Sequence, residues 1–205
     1  MIAIIDYGVG NLFSLSSSLK AVGQDVVITG DPQVIKSAKR LILPGVGAFG
    51  DAAKKLTDSG LRELIIEEAQ NGKPLLGICL GMQMLFEKSY EYGCHEGLGL
   101  ISGSIVPLEG RIPKSLNIPH IGWNGLKIKP ADPILKYLND GDCVYFVHSF
   151  YAECDEKYIT STAEYGIDVT ASVRNGNVFG CQFHPEKSGN VGLSILKAFC
   201  ELGEI

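Results

Sequence analysis

The segment Gly77-Ile78-Cys79-Leu80-Gly81-Met82-Gln83 places one cysteine between two glycines, each two residues away. An apolar run, Pro74-Leu75-Leu76, precedes this segment, and a pattern typical of a helix, Met84-Leu85-Phe86, follows it. This order predicts a strand, a sharp turn carrying Cys79 and then a helix, which is a nucleophile elbow with cysteine in place of serine. Glycine is needed on both sides because the turn is strained and neighbouring backbone must pass without a Cβ atom. The N–H groups that open the helix favour the thiolate form of Cys79.

A second segment supplies the partners that a thiol nucleophile needs, and it reads Gly180-Cys181-Gln182-Phe183-His184-Pro185-Glu186-Lys187-Ser188. A base keeps the sulfur ionised and later protonates the leaving group, and a carboxylate on the other ring nitrogen orients that base. His184 and Glu186 are separated by a proline, which favours extended backbone before it. Because side chains two apart at a strand end point the same way, both are predicted to face one site.

The other three histidines compete with His184 for the role of base. His148 ends a predicted strand and could line the same pocket, while His95 lies in a polar loop where a solvated role is expected. His120 is the third competitor. His184 is preferred because it follows an apolar strand and has Glu186 beside it.

Composition limits the possible functions of the 205-residue chain, which is 45% hydrophobic and 20% charged with a net charge of −5. A length of this order favours one domain. Without a long basic run, nucleic acid is not expected as the main ligand. The first six residues carry no basic leader and end on Asp6, and no apolar run approaches the ~20 residues of a membrane span. We therefore expect a cytoplasmic protein with no membrane contact.

The six cysteines form no CxxC pair and no cluster with zinc spacing, so no metal site is predicted. In the cytosol they are expected to be reduced. All except Cys79 are interpreted as structural or incidental thiols.

Short apolar runs alternate with helical patterns in the first half of the chain, which predicts a parallel sheet covered on both faces. Predicted strands are Ile2–Ile5, Val26–Ile28, Leu41–Leu43 and Leu75–Ile78; predicted helices start near Leu12 and cover residues 48–71, the latter in two pieces. The second half carries short strands that indicate an antiparallel extension of the same sheet or a small side sheet. These strands are Ile105–Leu108, Gly125–Ile128, Cys143–His148, Tyr158–Glu164 and Val169–Val173, followed by a core strand Val178–Phe183 and a helix Asn190–Leu202. The predicted class is a single-domain α/β fold with a mostly parallel central sheet flanked by helices.

A glycine-rich turn, Pro44-Gly45-Val46-Gly47, follows the third predicted strand. Such turns commonly bind phosphate or merely reverse the chain. Its strand is expected to end next to the elbow strand, where backbone N–H groups could stabilise a developing oxyanion.

The two catalytic segments together resemble the triad class of class I glutamine amidotransferases, and the resemblance covers essentially the whole chain, residues 1–205, as one amidotransferase type 1 domain. Three further segments resemble one branch, the HisH family of glutaminase subunits of imidazole glycerol phosphate synthase: Ile5-Asp6-Tyr7-Gly8-Val9-Gly10-Asn11, Pro44-Gly45-Val46-Gly47-Ala48-Phe49-Gly50 and Pro119-His120-Ile121-Gly122-Trp123-Asn124. The resemblance implies a flavodoxin-like fold. It also implies hydrolysis of glutamine and transfer of the ammonia to a HisF-type (β/α)₈-barrel cyclase in histidine biosynthesis, with no metal or organic cofactor.

By this resemblance Cys79 would attack the amide, His184 would act as acid and base, and Glu186 would orient His184. The Leu80 N–H and the strand of Gly45, Val46 and Gly47 would form the oxyanion hole. The substrate's amino-acid end would be held by Gly47, Gln83, Ser149 and Phe150.

The partner surface is also predicted by the resemblance, which implies Asn11, His120 and Trp123 at the cyclase interface and Tyr145 with Lys187 at an ammonia gate. Trp123, the only tryptophan, could instead fill the core. The family often has tyrosine at the position of Phe150.

Three alternatives stay open from the sequence. The chain could be a glutaminase that feeds another synthase, such as anthranilate or GMP synthesis. It could be a binding module that has lost its chemistry, or a cysteine peptidase of the same fold class.

Overall fold

A computed structural model describes residues 1–129 and 132–203, which form two sheets and six α-helices. The strands are β1 (Ile2–Ile5), β2 (Val26–Thr29), β3 (Arg40–Leu43), β4 (Leu75–Ile78), β5 (Phe86–Ser89), β6 (His95–Glu96), β7 (Ile101–Pro107), β8 (His120–Ile128), β9 (Cys143–His148), β10 (Phe150–Cys154), β11 (Ile159–Glu164), β12 (Asp168–Asn175) and β13 (Val178–Cys181). The helices are α1 (Leu12–Ala21), α2 (Pro32–Ser37), α3 (Phe49–Asp58), α4 (Leu61–Gln70), α5 (Leu80–Met84) and α6 (Gly189–Cys200). Two 3₁₀ turns lie at Pro133–Leu135 and Pro185–Lys187.

The large sheet has the order β2-β1-β3-β4-β13-β12-β11-β8-β9. Its first five strands are parallel neighbours, and the remaining pairs are antiparallel. Strands β1, β3, β4 and β13 are buried along their whole length, which explains why they read as unbroken apolar runs. The predicted α/β class is confirmed.

Both forms of the predicted antiparallel extension are present. Strands β12, β11, β8 and β9 continue the large sheet, while β10, β7, β5 and β6 form a separate four-stranded sheet. Helices cover both faces of the large sheet: α1 and α6 pack on one face through Leu15, Leu19, Ile195 and Phe199, and α2, α3 and α4 pack on the other.

The helix predicted to run through Met84-Leu85-Phe86 is wrong, because α5 ends at Met84 and Phe86 opens β5. The carbonyls of Met84 and Leu85 accept hydrogen bonds from Leu98 and Leu100 instead of continuing a helix. Sequence patterns also missed α2, β5, β6 and β10. These elements are short, and periodicity does not separate short apolar helices from strands.

The elbow is held by close backbone packing. Cys79 has φ 55° and ψ −112°, a conformation that non-glycine residues rarely adopt. A Cβ atom on Gly77 would lie 2.6 Å from the Gly81 carbonyl oxygen, and one on Gly81 would lie 1.8 Å from the Leu43 carbonyl oxygen. The two glycines therefore let the elbow helix pack directly against the ends of β3 and β4.

Gly81→Ala is expected to destabilise the protein by more than about 3 kcal/mol, because the new methyl group meets main-chain atoms that no rotamer change can move. The matched control is Gly176→Ala, where φ is 59° and no atom lies within 4 Å of the new Cβ. There only the left-handed conformation is penalised, at about 1–2 kcal/mol. Urea unfolding measures both, and equal losses would contradict the packing argument.

Candidate active site

The site lies where the carboxyl ends of β4 and β13 meet. These strands are parallel neighbours, and the Cys79 N–H donates to the Cys181 carbonyl at 2.8 Å. The chain after Cys181 then carries His184 over the elbow. Cys79 and His184 are both buried. The sheet order thus brings together two residues that are far apart in the sequence.

The structure places Cys79, His184 and Glu186 side by side. The His184 ring and Cys79 line the same cavity on one side, where the thiol raises the pKa of the imidazole. Its Nδ1 lies 2.8 Å from Glu186 Oε1 on the other, and both of these side chains are only 3% exposed. The His184 backbone is fixed as well, since its N–H donates to the Tyr145 carbonyl at 2.9 Å and its carbonyl accepts from the Ser188 hydroxyl at 2.7 Å.

His184 itself is extended before the proline, as predicted, with φ −101° and ψ 98°, but the backbone beyond it does not continue as a strand end. The chain makes a 3₁₀ turn over Pro185–Lys187, and β13 ends at Cys181 and not at Phe183. The turn folds Glu186 back towards the His184 ring. The juxtaposition of the two side chains was predicted, but it results from this turn and not from alternation at a strand end.

Burial by itself lowers the pKa of His184. Hydrogen bonding with Cys79 and Glu186, together with the negative charges of these two groups, has the larger effect and raises the pKa to about 9. The imidazole is therefore protonated at neutral pH, where it can stabilise a neighbouring thiolate. Such a pair can attack an acyl carbon and then protonate a leaving amine. The short α5, with five residues, contributes mainly its free N–H groups, because a macrodipole needs a longer helix.

A cavity of about 420 Å³ opens above Cys79. Among the residues predicted to bind substrate or form the oxyanion hole, six line it: Val46, Gly47, Leu80, Gln83, Ser149 and Phe150. Its other lining residues are Cys79, Glu91, Pro119, Val147, His148, His184 and Lys187. A second cavity of about 560 Å³, beside Lys129 and Arg174, is lined by none of the predicted site residues.

Gly45, also predicted for the oxyanion hole, lies behind the cavity wall. A Cβ atom there would lie 2.8 Å from the Gly81 nitrogen and 3.0 Å from the Tyr7 hydroxyl. Tyr7 is buried, and its hydroxyl donates to the Pro44 carbonyl at 2.8 Å. Burial and the nearby Cys79 raise the pKa of Tyr7, so it stays a neutral donor. This hydrogen bond therefore fixes the segment before Gly47 to the chain that follows β1.

A chain of amides lies beneath the cavity. The Gln83 side-chain amide donates to the Phe150 carbonyl and to the Gln182 side-chain oxygen, both at 3.1 Å. Gln182 in turn points its amide towards Cys79 Sγ at 3.8 Å. Gln182 was not predicted, although its position two residues before His184 was a usable signal.

Glu91 is the second functional candidate that sequence reasoning missed. Its carboxylate accepts a hydrogen bond from the Phe49 N–H at the start of α3, and the side chain lines the cavity. It lies in the connection after β5, a strand that was itself not predicted. A single carboxylate in an unassigned loop gave no sequence signal.

The histidines predicted to compete with His184 have other roles. His148 lines the cavity, but burial lowers its pKa to about 3, and its Nδ1 lies 2.9 Å from the Phe150 carbonyl. His95 belongs to the two-residue strand β6 and not to a loop, and it packs beside Phe49 and Gly50. No other histidine of the described ranges is paired with a carboxylate as His184 is.

The surface beside the cavity carries the tryptophan that could have filled the core. Trp123 is 63% exposed, and Ile118 and Ile121 nearby in the sequence are 41% and 58% exposed. The Trp123 ring contacts Tyr145, with centroids 4.8 Å apart, and the Lys187 amine lies 5.6 Å from the centre of the Tyr145 ring. Asn11 is half-buried just before α1.

His120 is not on this surface, contrary to the prediction. Its side chain is fully buried, stacked between Tyr165 and Phe146 with ring centroids 3.9 and 4.9 Å apart. Alternation along β8 explains this: Ile121 and Trp123 point outwards, so His120 points inwards.

Within residues 1–129 and 132–203, no group of three or more histidine, cysteine or acidic side chains is arranged to hold a metal ion. The helices of those ranges are too short or too polar to cross a bilayer. The cysteines of those ranges are not joined in disulfide bonds.

Comparison with known proteins agrees with this geometry. The family model for glutamine amidotransferase class-I matches residues 3–201. The HisH subunit of imidazole glycerol phosphate synthase from Caldanaerobacter subterraneus subsp. tengcongensis is 54% identical, with 98% of each chain covered. The HisH subunit from Wolinella succinogenes is 48% identical over 99% of this chain and 100% of that one.

Solved structures show the same fold at low sequence identity. A crystal structure of a glutamine amidotransferase is similar with a TM-score of 0.78 and 18% identity over 100% of both chains. The structure of PurLQS from Thermotoga maritima is similar with a TM-score of 0.72 and 21% identity, covering 98% of this chain and 97% of that chain.

Cys79→Ala is expected to lower the pKa of His184 from about 9, because it removes both a hydrogen bond to the ring and a negative charge beside it. In the wild type, the raised pKa stabilises the fold fully below about pH 6.5, and this contribution is lost as pH rises through about 9. The variant should therefore lose stability mainly below pH 9. NMR titration of the His184 ring measures the pKa, and Cys94→Ala, an exposed cysteine, is the control. An unchanged pKa in Cys79→Ala would contradict the coupling.

Proposed function

We propose that this chain, which belongs to the class-I glutamine amidotransferase family, hydrolyses glutamine to glutamate and supplies the ammonia to a cyclase subunit that makes imidazole glycerol phosphate in histidine biosynthesis. The observation that carries the proposal is the buried Cys79–His184–Glu186 group at the floor of a cavity of about 420 Å³. Full-length relatives at about half identity, named as HisH subunits of imidazole glycerol phosphate synthase, support the assignment to that synthase.

The reaction begins with the Cys79 thiolate attacking the side-chain carbonyl carbon of glutamine. The tetrahedral adduct collapses as protonated His184 gives its proton to the departing nitrogen, which leaves as ammonia, and a thioester to Cys79 remains. Neutral His184 then takes a proton from water as that water attacks the thioester. Glutamate leaves, and the thiolate and the imidazolium are restored. Glu186 holds the ring in the orientation that both steps require.

The negative oxygen of each tetrahedral adduct needs hydrogen-bond donors. The Leu80 N–H is suited to this, since it opens α5 and has no acceptor within the helix. The second donor would come from the segment of Gly45, Val46 and Gly47, which lines or backs the same cavity. Losing one such donor typically costs ~2.7–4 kcal/mol of transition-state stabilisation. The geometry of this segment would therefore control the rate.

The amino-acid end of glutamine carries an ammonium and a carboxylate group. The Glu91 carboxylate is the acidic group on the cavity wall outside the triad and is suited to the ammonium. Gly47, Gln83, Ser149 and Phe150 would hold the rest by backbone and amide contacts. Phenylalanine in place of tyrosine at position 150 leaves this unaffected, because the Phe150 carbonyl is the group that Gln83 contacts.

The exposed apolar surface of Ile118, Ile121 and Trp123 is suited to the cyclase partner, which we propose to be a HisF-type (β/α)₈ barrel. Pro119, next to Ile118, also lines the cavity, as does Lys187 beside Tyr145, so this surface and the cavity are continuous. Ammonia released at Cys79 would pass between Tyr145 and Lys187 into the partner. Asn11 would contribute at the edge, and the complex would act in the cytoplasm.

The alternative functions lack such support. A synthase of the anthranilate or GMP type is disfavoured by the names of the full-length relatives. The intact triad argues against a module that has lost its chemistry. A peptidase would need a cleft for an extended chain, whereas the cavity above Cys79 suits one amino acid.

Cys79→Ala is expected to lower glutamine hydrolysis by at least about 10³-fold, because no other thiol is among the residues that line the cavity with His184. Ammonia release by the chain together with its cyclase subunit measures this, and Cys94→Ser, an exposed cysteine, is the control. Equal rates in Cys79→Ala and the wild type would rule out Cys79 as the nucleophile.

Trp123→Ala is expected to weaken the cyclase complex by roughly 2 kcal/mol or more, the range of an aromatic hot spot. The basal hydrolysis by the isolated chain should remain, since Trp123 does not line the cavity. Tyr137→Ala is the control, because this exposed aromatic contacts Glu201 at the end of α6. Titration with the barrel subunit decides the matter: unchanged affinity in Trp123→Ala would place the interface elsewhere.

A further inference from the structure

A line of three short polar contacts runs from the cavity wall to strand β8. The Phe150 carbonyl lies 2.9 Å from His148 Nδ1, His148 Nε2 lies 3.1 Å from His120 Nδ1, and His120 Nε2 lies 2.8 Å from Asn124 Oδ1. His120 and His148 are directly paired residues of β8 and β9. Both rings are buried, while Phe150 and Asn124 at the two ends are half-buried.

The two ends of this line are carbonyl oxygens, which only accept hydrogen bonds. The Asn124 amide cannot be turned round without loss, because its nitrogen donates to the Glu164 carbonyl at 3.1 Å. All protons in the three contacts must therefore come from the two imidazoles. A neutral imidazole carries one proton, so two neutral rings supply two protons for three hydrogen bonds. Three bonds require a third proton and a net charge of +1.

The aromatic surroundings of His120 suit such a charge. The ring lies between Tyr165 and Phe146, with interplanar angles of 18° to each, and the faces of aromatic rings attract cations. Burial acts in the opposite direction and lowers the pKa of His120. The aromatic faces thus favour the third proton, while burial of the charged ring opposes it.

Other charged groups face the pair from the cavity side. Burial first, and then the charges of His120 and His184, lower the pKa of His148, and Lys187 and Glu91 line the same cavity. On the β11 side the Glu164 carboxylate is engaged with the Gly166 N–H at 2.8 Å. No carboxylate of the described residues contacts either ring.

We propose that His120 and His148 are positioning residues that hold the Phe150 carbonyl, and through it Gln83, in the geometry for glutamine, and that the pair carries three protons when it does so. The consequence for glutamine rests on the proposed function. When the third proton leaves, one of the three contacts becomes two lone pairs facing each other at 2.8, 2.9 or 3.1 Å. That contact then opens, at the Phe150 carbonyl, between the two rings or at Asn124, so the third proton decides whether the substrate cavity stays linked to β8, the strand that carries Trp123.

Two substitutions of Asn124 separate this proposal from a merely structural role. Asn124→Asp puts a carboxylate against His120 Nε2 and should raise the pH at which the third proton leaves by about 1–3 units. Asn124→Leu removes the acceptor and should lower that pH. Long-range ¹H–¹⁵N spectra of histidine-labelled protein in complex with its cyclase subunit, recorded from pH 4.5 to 8.5, show which ring nitrogens carry protons.

The expected result is a doubly protonated ring in the His120–His148 pair in the acidic part of the range, extended to neutral pH in Asn124→Asp. Two singly protonated rings throughout, in the wild type and in Asn124→Asp, would overturn the proposal, as would shifts in the same direction for both variants. This readout does not depend on glutamine hydrolysis. A chain that fails to hydrolyse glutamine can therefore still show the third proton, and the two proposals fail separately.

The kinetic arm tests positioning. His120→Phe keeps a flat ring between Tyr165 and Phe146 but removes the link to His148, and should raise the KM for glutamine about tenfold with kcat changed less than about twofold, the size of one lost hydrogen bond. Tyr165→Phe keeps the stacked ring and loses only the bond from its hydroxyl to the Asn117 carbonyl, and should leave KM unchanged. A fall in kcat with an unchanged KM in His120→Phe would contradict the positioning role.

Discussion

The contact between the elbow glycines and the neighbouring backbone is the constraint on which the rest of the structure depends. Gly81 lies against the Leu43 carbonyl and Gly77 against the first turn of α5, with no room for a methyl group at either position. This packing forces Cys79 into its left-handed conformation and aims the sulfur over the end of the sheet. Because β13 is the neighbour of β4 in the sheet, the chain that follows β13 places His184 beside Cys79.

Once packing has placed the side chains, their electrostatic surroundings set the pKa values of the two histidines near the cavity. His184 is buried, which alone would favour a neutral ring, yet its contacts with Cys79 and Glu186 raise its pKa to about 9. The same burial lowers the pKa of His148 to about 3, since no carboxylate of the described residues accompanies it. The pKa values of two buried histidines near one cavity are thus shifted in opposite directions by their neighbours, and only His184 is suited to acid–base chemistry.

Much of this could be predicted from the sequence. Glycines two residues either side of Cys79, and a carboxylate two residues after His184, are local patterns with few physical interpretations. The burial of His120 could not be predicted in the same way, because the segment around Trp123 resembles a surface and only the register of β8 against β9 shows which side chains point inwards. Glu91 was missed because its position depends on the small sheet, whose short strands leave no periodic pattern.

The central claim is that Cys79 is the nucleophile served by His184 inside a cavity that accepts glutamine. Mass spectrometry after exposure to a glutamine-analogue chloroketone at neutral pH tests it most directly. The account predicts one adduct, on Cys79, whose formation is slowed by excess glutamine and abolished in His184→Asn. An adduct on another cysteine with Cys79 unmodified, or labelling of Cys79 that glutamine does not slow, would contradict it.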